Sequence, residues 1–276
     1  RQAAMQRQTH KQFKASMRMA MKAYQQANHF YQKTKGWNKP AKTNHSKAMA
    51  SYVNYWLVKE ASKKREVLDK CWKLEKEALK IYEDAGDKLN YGKVCNELLK
   101  CLLDRFDIEQ YWSNRREILT EGQDYGEKAI ANFREIGDDY ELTQAYCLTG
   151  LLYLWATHYG ELVTRKKLSK KSLTYLESAL ELSEKIGDSY LIAMSISNAV
   201  FYQFWIMGDL KLSLKSAKMA LKQSLKTKDN LLIGQAFNWL ASITYWMRWT
   251  EEDPDKKRKM YEKVIEYANQ AASYLG

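Results

Sequence analysis

Three stretches in the C-terminal half, 142–160, 189–208 and 230–247, contain no Asp, Glu, Lys or Arg. Between the first two the pattern inverts: residues 165–187 carry Arg165, Lys166, Lys167, Lys170, Lys171, Glu177, Glu181, Glu184 and Lys185. A helix uncharged all round is buried all round, whereas one with periodic charge exposes a face. Alternation of the two kinds predicts antiparallel helix pairs, each with an inner first helix and a half-exposed second helix. The pattern is clearest where a first helix over 188–207 meets Gly208-Asp209 and a second continues to Thr227. The only prolines, Pro40 and Pro254, fall in expected loops, and Pro254 follows Asp253 as a proline follows an N-cap. With no strand-like alternation to compete, the fold class expected is all-α.

The breaks between pairs are regular. Gly36, Gly86, Gly137 and Gly187 lie 50, 51 and 50 residues apart, and a further 41 residues lead to Lys228. Aspartate follows Gly86, Gly137 and Gly187 and also Lys228, and an alanine-aliphatic pair stands eight residues before each: Ala78-Leu79, Ala129-Ile130, Ala179-Leu180 and Ala220-Leu221. Glycine takes the left-handed conformation that ends a helix, and the aspartate beside it accepts from the unpaired N–H groups of the next. The chain is therefore an internal repeat read as one solenoid. Its expected parts are an N-terminal helix in 1–36, helix pairs in 37–86, 87–137, 138–187 and 188–228, and a C-terminal pair in 229–276.

The Ala-Leu pairs before Gly-Asp and the segment Thr149-Gly150-Leu151-Leu152-Tyr153 resemble the tetratricopeptide repeat family in its long-repeat variety. That resemblance implies a right-handed superhelix whose first helices line a concave groove, and a scaffold that holds a peptide or partner protein there. Units near 50 residues exceed the usual length of about 34. Longer helices and wider loops at 106–112 and 159–164 are expected to absorb the excess.

Charge divides the chain. Of the formal net +12, all resides in residues 1–59, which hold twelve cations and no acid. Arg7, Lys11, Lys14, Arg18 and Lys22 form a basic stripe at helical spacing, roughly opposite Phe13, Met17, Met21, Tyr24 and Tyr31. Such a stripe attracts an acidic protein segment or a nucleic acid, or is simply a solvated face. No RNA- or DNA-reading motif accompanies it.

Aromatic residues repeat in register: Trp155, Trp205 and Trp246 each lie eighteen residues beyond the break. With Tyr159, Tyr202 and Trp249 they are the candidate groove residues, and the competing reading is that the tryptophans fill the core. Catalysis finds no support. His10, His29, His45 and His158 are isolated, no glycine-rich phosphate loop exists, and the four cysteines lack Cys-x-x-Cys spacing. The expectations are therefore no enzyme, no metal and no cofactor. A cytoplasmic location, no membrane span and a possible homodimer complete them. Two alternatives to the scaffold stand: a ligand-sensing module of a longer protein, to which the start at Arg1 points, and polyanion binding through residues 1–59.

Overall fold

The computed structural model describes residues 10–159 and 162–275. Arg7 lies outside them, as does the side chain of Lys11. Eleven α-helices and no strands occur among the described residues. An N-terminal helix α1 (His10–Lys33) precedes five antiparallel pairs: α2 (Lys39–Tyr55) with α3 (Ala61–Asp84), α4 (Lys88–Ile108) with α5 (Trp112–Ile136), α6 (Asp139–Tyr159) with α7 (Leu162–Ile186), α8 (Ser189–Tyr202) with α9 (Leu210–Thr227), and α10 (Asn230–Met247) with α11 (Pro254–Leu275). Each helix packs on the next, and α4, α6, α8 and α10 also pack on one another in succession. This is an all-α helical-repeat solenoid.

Four of the five breaks act as the sequence predicts; Gly36, at φ +138° and followed by Trp37, does not repeat the cap. Gly86, Gly137 and Gly187 have φ of +68°, +73° and +76°, and Lys228 adopts +55° at the fourth. Asp87 accepts from the Asn90 N–H, Asp138 from Glu141, Asp188 from Leu191, and Asp229 from both Leu231 and Leu232. Gly208-Asp209 repeats the device inside a pair, with φ +69° and a bond from the Leu212 N–H.

The charge-free first helices are covered on several sides. In α6, Thr143, Ala145, Cys147, Thr149, Leu152 and Leu154 are all fully buried, because α4, α5, α7 and α8 surround it. Close approach demands small residues: a Cβ on Gly126 of α5 would lie 2.2 Å from the Thr149 hydroxyl of α6. The buried clusters are joined end to end by half-buried aromatics. Trp56 and Trp72 link the clusters of the N-terminal pairs, Trp155 links the central cluster to the one around Leu154 and Phe201, and Trp239 carries it into the C-terminal cluster.

The extra repeat length resides in helices, not loops. Second helices α3, α5 and α7 reach 24, 25 and 25 residues, and helix α4 continues through Phe106 to Ile108, where a wide loop was expected. Likewise α6 extends to Tyr159 and α7 starts at Leu162. Residues Ser189–Met207 form the one helix among those described that is long and apolar enough to cross a membrane, and half of it is buried inside the protein.

A Cβ at Gly137 meets no atom within 4 Å, so substitution there tests conformation alone. Gly137→Val is expected to lower the unfolding free energy by roughly 1–3 kcal/mol in urea titration, with Gly137→Asn costing less, since asparagine tolerates the left-handed region and a β-branched side chain does not.

Candidate functional site

The turns inside the pairs carry exposed aromatic residues on one edge of the solenoid. Phe106 at the end of α4 lies 5.4 Å from Trp155 and 5.7 Å from Tyr159, ring centre to ring centre, both at the end of α6. Trp112, opening α5, lies 5.5 Å from Tyr159, and His158 lies 5.4 Å from Trp205. The stack thus crosses three consecutive pairs. Its outer members remain in solvent: Trp112 is 44% exposed and Trp205 46%. Cations flank it. The Arg115 guanidinium sits 5.1 Å from the Phe106 ring centre while its Nε donates to the Glu109 carbonyl at 2.8 Å, and Arg165 faces the His158 carbonyl. Burial, then the Arg165 charge, lowers the His158 pKa, so its ring is neutral at physiological pH. A cleft of about 310 Å³ opens between Trp205 and Arg165, Lys166 and Ser169.

The six aromatic candidates separate. Trp155 is half-buried, held at 4.6 Å by Phe201 of the next first helix, and joins two core clusters. Tyr202 is buried, its hydroxyl 2.9 Å from the Ser169 hydroxyl. Tyr159 and Trp205 belong to the exposed edge. Trp246 and Trp249 form a second exposed cluster on the last pair, where Arg248 lies 4.9 Å from the Tyr245 ring, 4.8 Å from Trp249 and 5.1 Å from Tyr261. Trp205 sits in a π-helical turn, Gln203–Met207, for which the sequence carries no signal. There the N–H groups of Gly208 and Asp209 both reach the Gln203 carbonyl.

The inner face holds a cavity of about 430 Å³ to which every first helix contributes. Met49, Tyr52 and Val53 come from α2, Glu97 and Lys100 from α4, Tyr140 and Gln144 from α6, Tyr190 from α8, and Leu231 and Leu232 from α10, with Asp229 at its start and Tyr24 from α1. Lys100 Nζ donates to Glu97 at 2.8 Å, and the Tyr52 hydroxyl donates to Asp104 at 2.5 Å. Leu231 packs against Met17 and Val53, so α10 meets the N-terminal helices across the cavity. Sequence reasoning missed these residues. The available signal was Tyr140 and Tyr190, each three positions after a break glycine.

Beside this cavity Glu75 is wholly buried and pairs with His45, whose Nδ1 lies 2.9 Å from Oε1 and 3.0 Å from Oε2. Burial, opposed by His45, raises the Glu75 pKa to about 7. Burial alone would lower that of His45, but the charge and hydrogen bond of Glu75, with the Glu97 charge, bring it above its ordinary value. No group of three or more His, Cys, Asp or Glu side chains that could hold a metal occurs among the described residues. On α1, Arg18 and Lys22 are exposed and Lys14 half-buried, while Met17 opposite is fully buried. The ring of Phe13 meets Trp56 at 6.3 Å, which sets this part of α1 beside the turn of the first pair. No protein family matches the chain, and no curated protein is similar to it.

The His45–Glu75 pair should make stability depend on pH. The folded chain holds a proton on Glu75 that the unfolded carboxyl releases near its ordinary 4.5, so that contribution is lost as pH rises from there to about 7. His45, raised above 6.5, adds a contribution present below that value and lost as pH passes its folded one. Urea unfolding between about pH 5 and about pH 8 is expected to show wild type losing on the order of 2–3 kcal/mol more than Glu75→Gln.

Proposed function

We propose that the chain is a tetratricopeptide-like interaction module, long-repeat variety, that docks an acidic protein segment bearing apolar anchors along the aromatic edge. The observation that carries this reading is the stack from Phe106 to Trp205, whose exposed members Trp112, Tyr159 and Trp205 lie between Arg115 and Arg165. Exposed aromatic residues with arginines beside them are what an interface core requires, since tryptophan, tyrosine and arginine supply most of the binding energy at hot spots. The tetratricopeptide-like assignment rests on the alanines Ala78, Ala129, Ala179 and Ala220, all fully buried on the second helices, and on the successive packing of the first helices.

The charge of the chain favours an acidic partner. Among the described side chains no lysine or arginine of the first 59 residues pairs with a carboxylate, and Phe13 of α1 packs on Trp56 at the turn of the first pair. Steering by such a surface raises association rates and fades with salt.

Two measurements test the proposal with the full chain as bait and a captured partner quantified by titration. The triple substitution Trp112→Ala, Tyr159→Ala, Trp205→Ala is expected to weaken binding by about thirty-fold or more, the effect of losing a hot spot. The same variant should lose little stability, because two of the three side chains are nearly half exposed. Arg18→Glu with Lys22→Glu is expected to slow association at low ionic strength and to have little effect near about 0.5 M salt. A partner held equally by wild type and the triple variant would contradict the proposal.

A further inference from the structure

We infer that Arg248 and the rings around it form a separate docking point, one that takes the carboxylate of an acidic protein segment together with an apolar side chain beside it. The site shares no residue with the stack from Phe106 to Trp205, so it stands or falls apart from that surface.

The geometry starts at the turn of the last pair. Helix α10 ends at Met247 and continues as a short 3-10 turn, Arg248–Thr250, before Pro254 opens α11. The Arg248 guanidinium is seated over three rings, 4.9 Å from the centre of Tyr245, 4.8 Å from Trp249 and 5.1 Å from Tyr261, so both helices and the turn between them hold it. Tyr245 meets Trp246 and Trp249 edge-on, which ties the cluster together. A ring face attracts the positive charge but supplies no lone pair for the N–H donors in the guanidinium plane. Those donors lack an acceptor. Three other arginines sit against rings, and each also bonds a protein oxygen: Arg105 the Asp69 carboxylate, Arg115 the Glu109 carbonyl and Arg134 the Tyr146 hydroxyl. Arg248 makes no such bond among the described residues, and its Nε is buried without a partner. Two carboxylates close by in sequence are engaged elsewhere: Glu251 Oε1 accepts from the Glu252 and Asp253 N–H groups, and Asp253 Oδ1 from those of Asp255 and Lys256.

An unbonded guanidinium among rings selects its ligand by shape as well as charge. Because Nε is covered, the terminal nitrogens Nη1 and Nη2 present the fork, and a carboxylate matches it with two parallel N–H···O bonds. Rings beside such a pair limit water and strengthen it. Apolar contacts surround the fork and remain in solvent: Trp249 is 63% exposed, Tyr261 48%, and Ile265 follows one turn along α11 at 49%. Tryptophan, tyrosine and arginine together are the composition of a binding hot spot. The start of α11 adds charge of the same sign, with Lys256, Lys257, Arg258, Lys259 and Lys263 against Asp255 and Glu262 in 254–263. An acidic segment is therefore the occupant. A nucleic acid fits less well, because its evenly spaced phosphates would have to pass Glu251, Glu252, Asp253 and Asp255, whereas a single carboxylate engages one fork.

The test is an NMR titration of the isotope-labelled full chain with the peptide acetyl-Gly-Leu-Glu-Phe-Gly-amide, followed at the side-chain N–H resonances of Arg248 and Trp249. The peptide is expected to shift both saturably, and its counterpart with glutamine in place of glutamate to bind about ten-fold or more weakly. Arg248→Lys keeps a cation but loses the planar fork, and is expected to weaken the glutamate peptide about ten-fold or more, read at Trp249, with the circular dichroism of wild type. Tyr261→Ala, at an exposed position, is expected to weaken it as well, read at Arg248. The triple variant Trp112→Ala, Tyr159→Ala, Trp205→Ala should bind the peptide as wild type does, which separates this site from the aromatic edge. Equal affinity for the two peptides would overturn the inference. So would undiminished binding to both folded Arg248→Lys and folded Tyr261→Ala, loss of binding in the folded triple variant, saturable shifts with a single-stranded oligothymidylate in place of the peptide, or no saturable shift with the peptide at all.

Discussion

At each inter-pair break one residue must hold positive φ while its neighbour's carboxylate caps the following helix. Both conditions act on adjacent residues, so the chain has little freedom in how one pair leaves the last. Gly86, Gly137 and Gly187 meet the first condition at no steric expense, and Lys228 meets it with φ +55° against the preference of its side chain. The compensation at Lys228 is visible around it: Asp229 caps two N–H groups, and its own N–H is held by the Thr227 hydroxyl at 3.0 Å. Because these breaks alike return the chain to an inner helix, the charge-free segments stack on one another. Both the outer aromatic edge and the inner cavity follow from that stacking.

Much of this was legible because it is written locally. The absence of charge over 142–160, 189–208 and 230–247 follows directly from burial on several sides, and a Gly-Asp step needs no tertiary information to be read as a helix end followed by a cap. What escaped depends on distant residues. Trp155, Trp205 and Trp246 share one offset, yet their fates differ with what lies next in the stack. Phe201 covers Trp155, a π turn displaces the helix at Trp205, and Trp246 belongs to the final pair. The cavity was equally hidden, since Tyr24, Glu97 and Asp229 meet only through the curvature of the whole array. The wide loops expected at 106–112 and 159–164 failed for a simpler reason. Helical hydrogen bonds continue wherever a neighbouring helix is long enough to pack against, and α5 and α7 are each 25 residues long.

The two surfaces differ in the side chains they gather. Outside, the N-terminal stripe and Arg115, Arg165 and Arg248 place positive charge beside exposed rings. Inside, carboxylates and tyrosines dominate, and the buried Glu75 needs His45 and a shared proton to remain in an apolar setting.

Repeat arrays are ordinarily quasi-one-dimensional: each unit senses its neighbours, and the ends fray first. The seating of Leu231 on Met17 and Val53 changes that topology by adding a latch between elements far apart in sequence. Peeling away the last pair now bares apolar surface on the first, and loosening α1 does the same to α10. Fraying at either terminus therefore uncovers apolar surface at the other at this one point of contact. Forming that contact requires the intervening helices to be in place, so it is a non-local contact whose loop-closure entropy spans most of the chain.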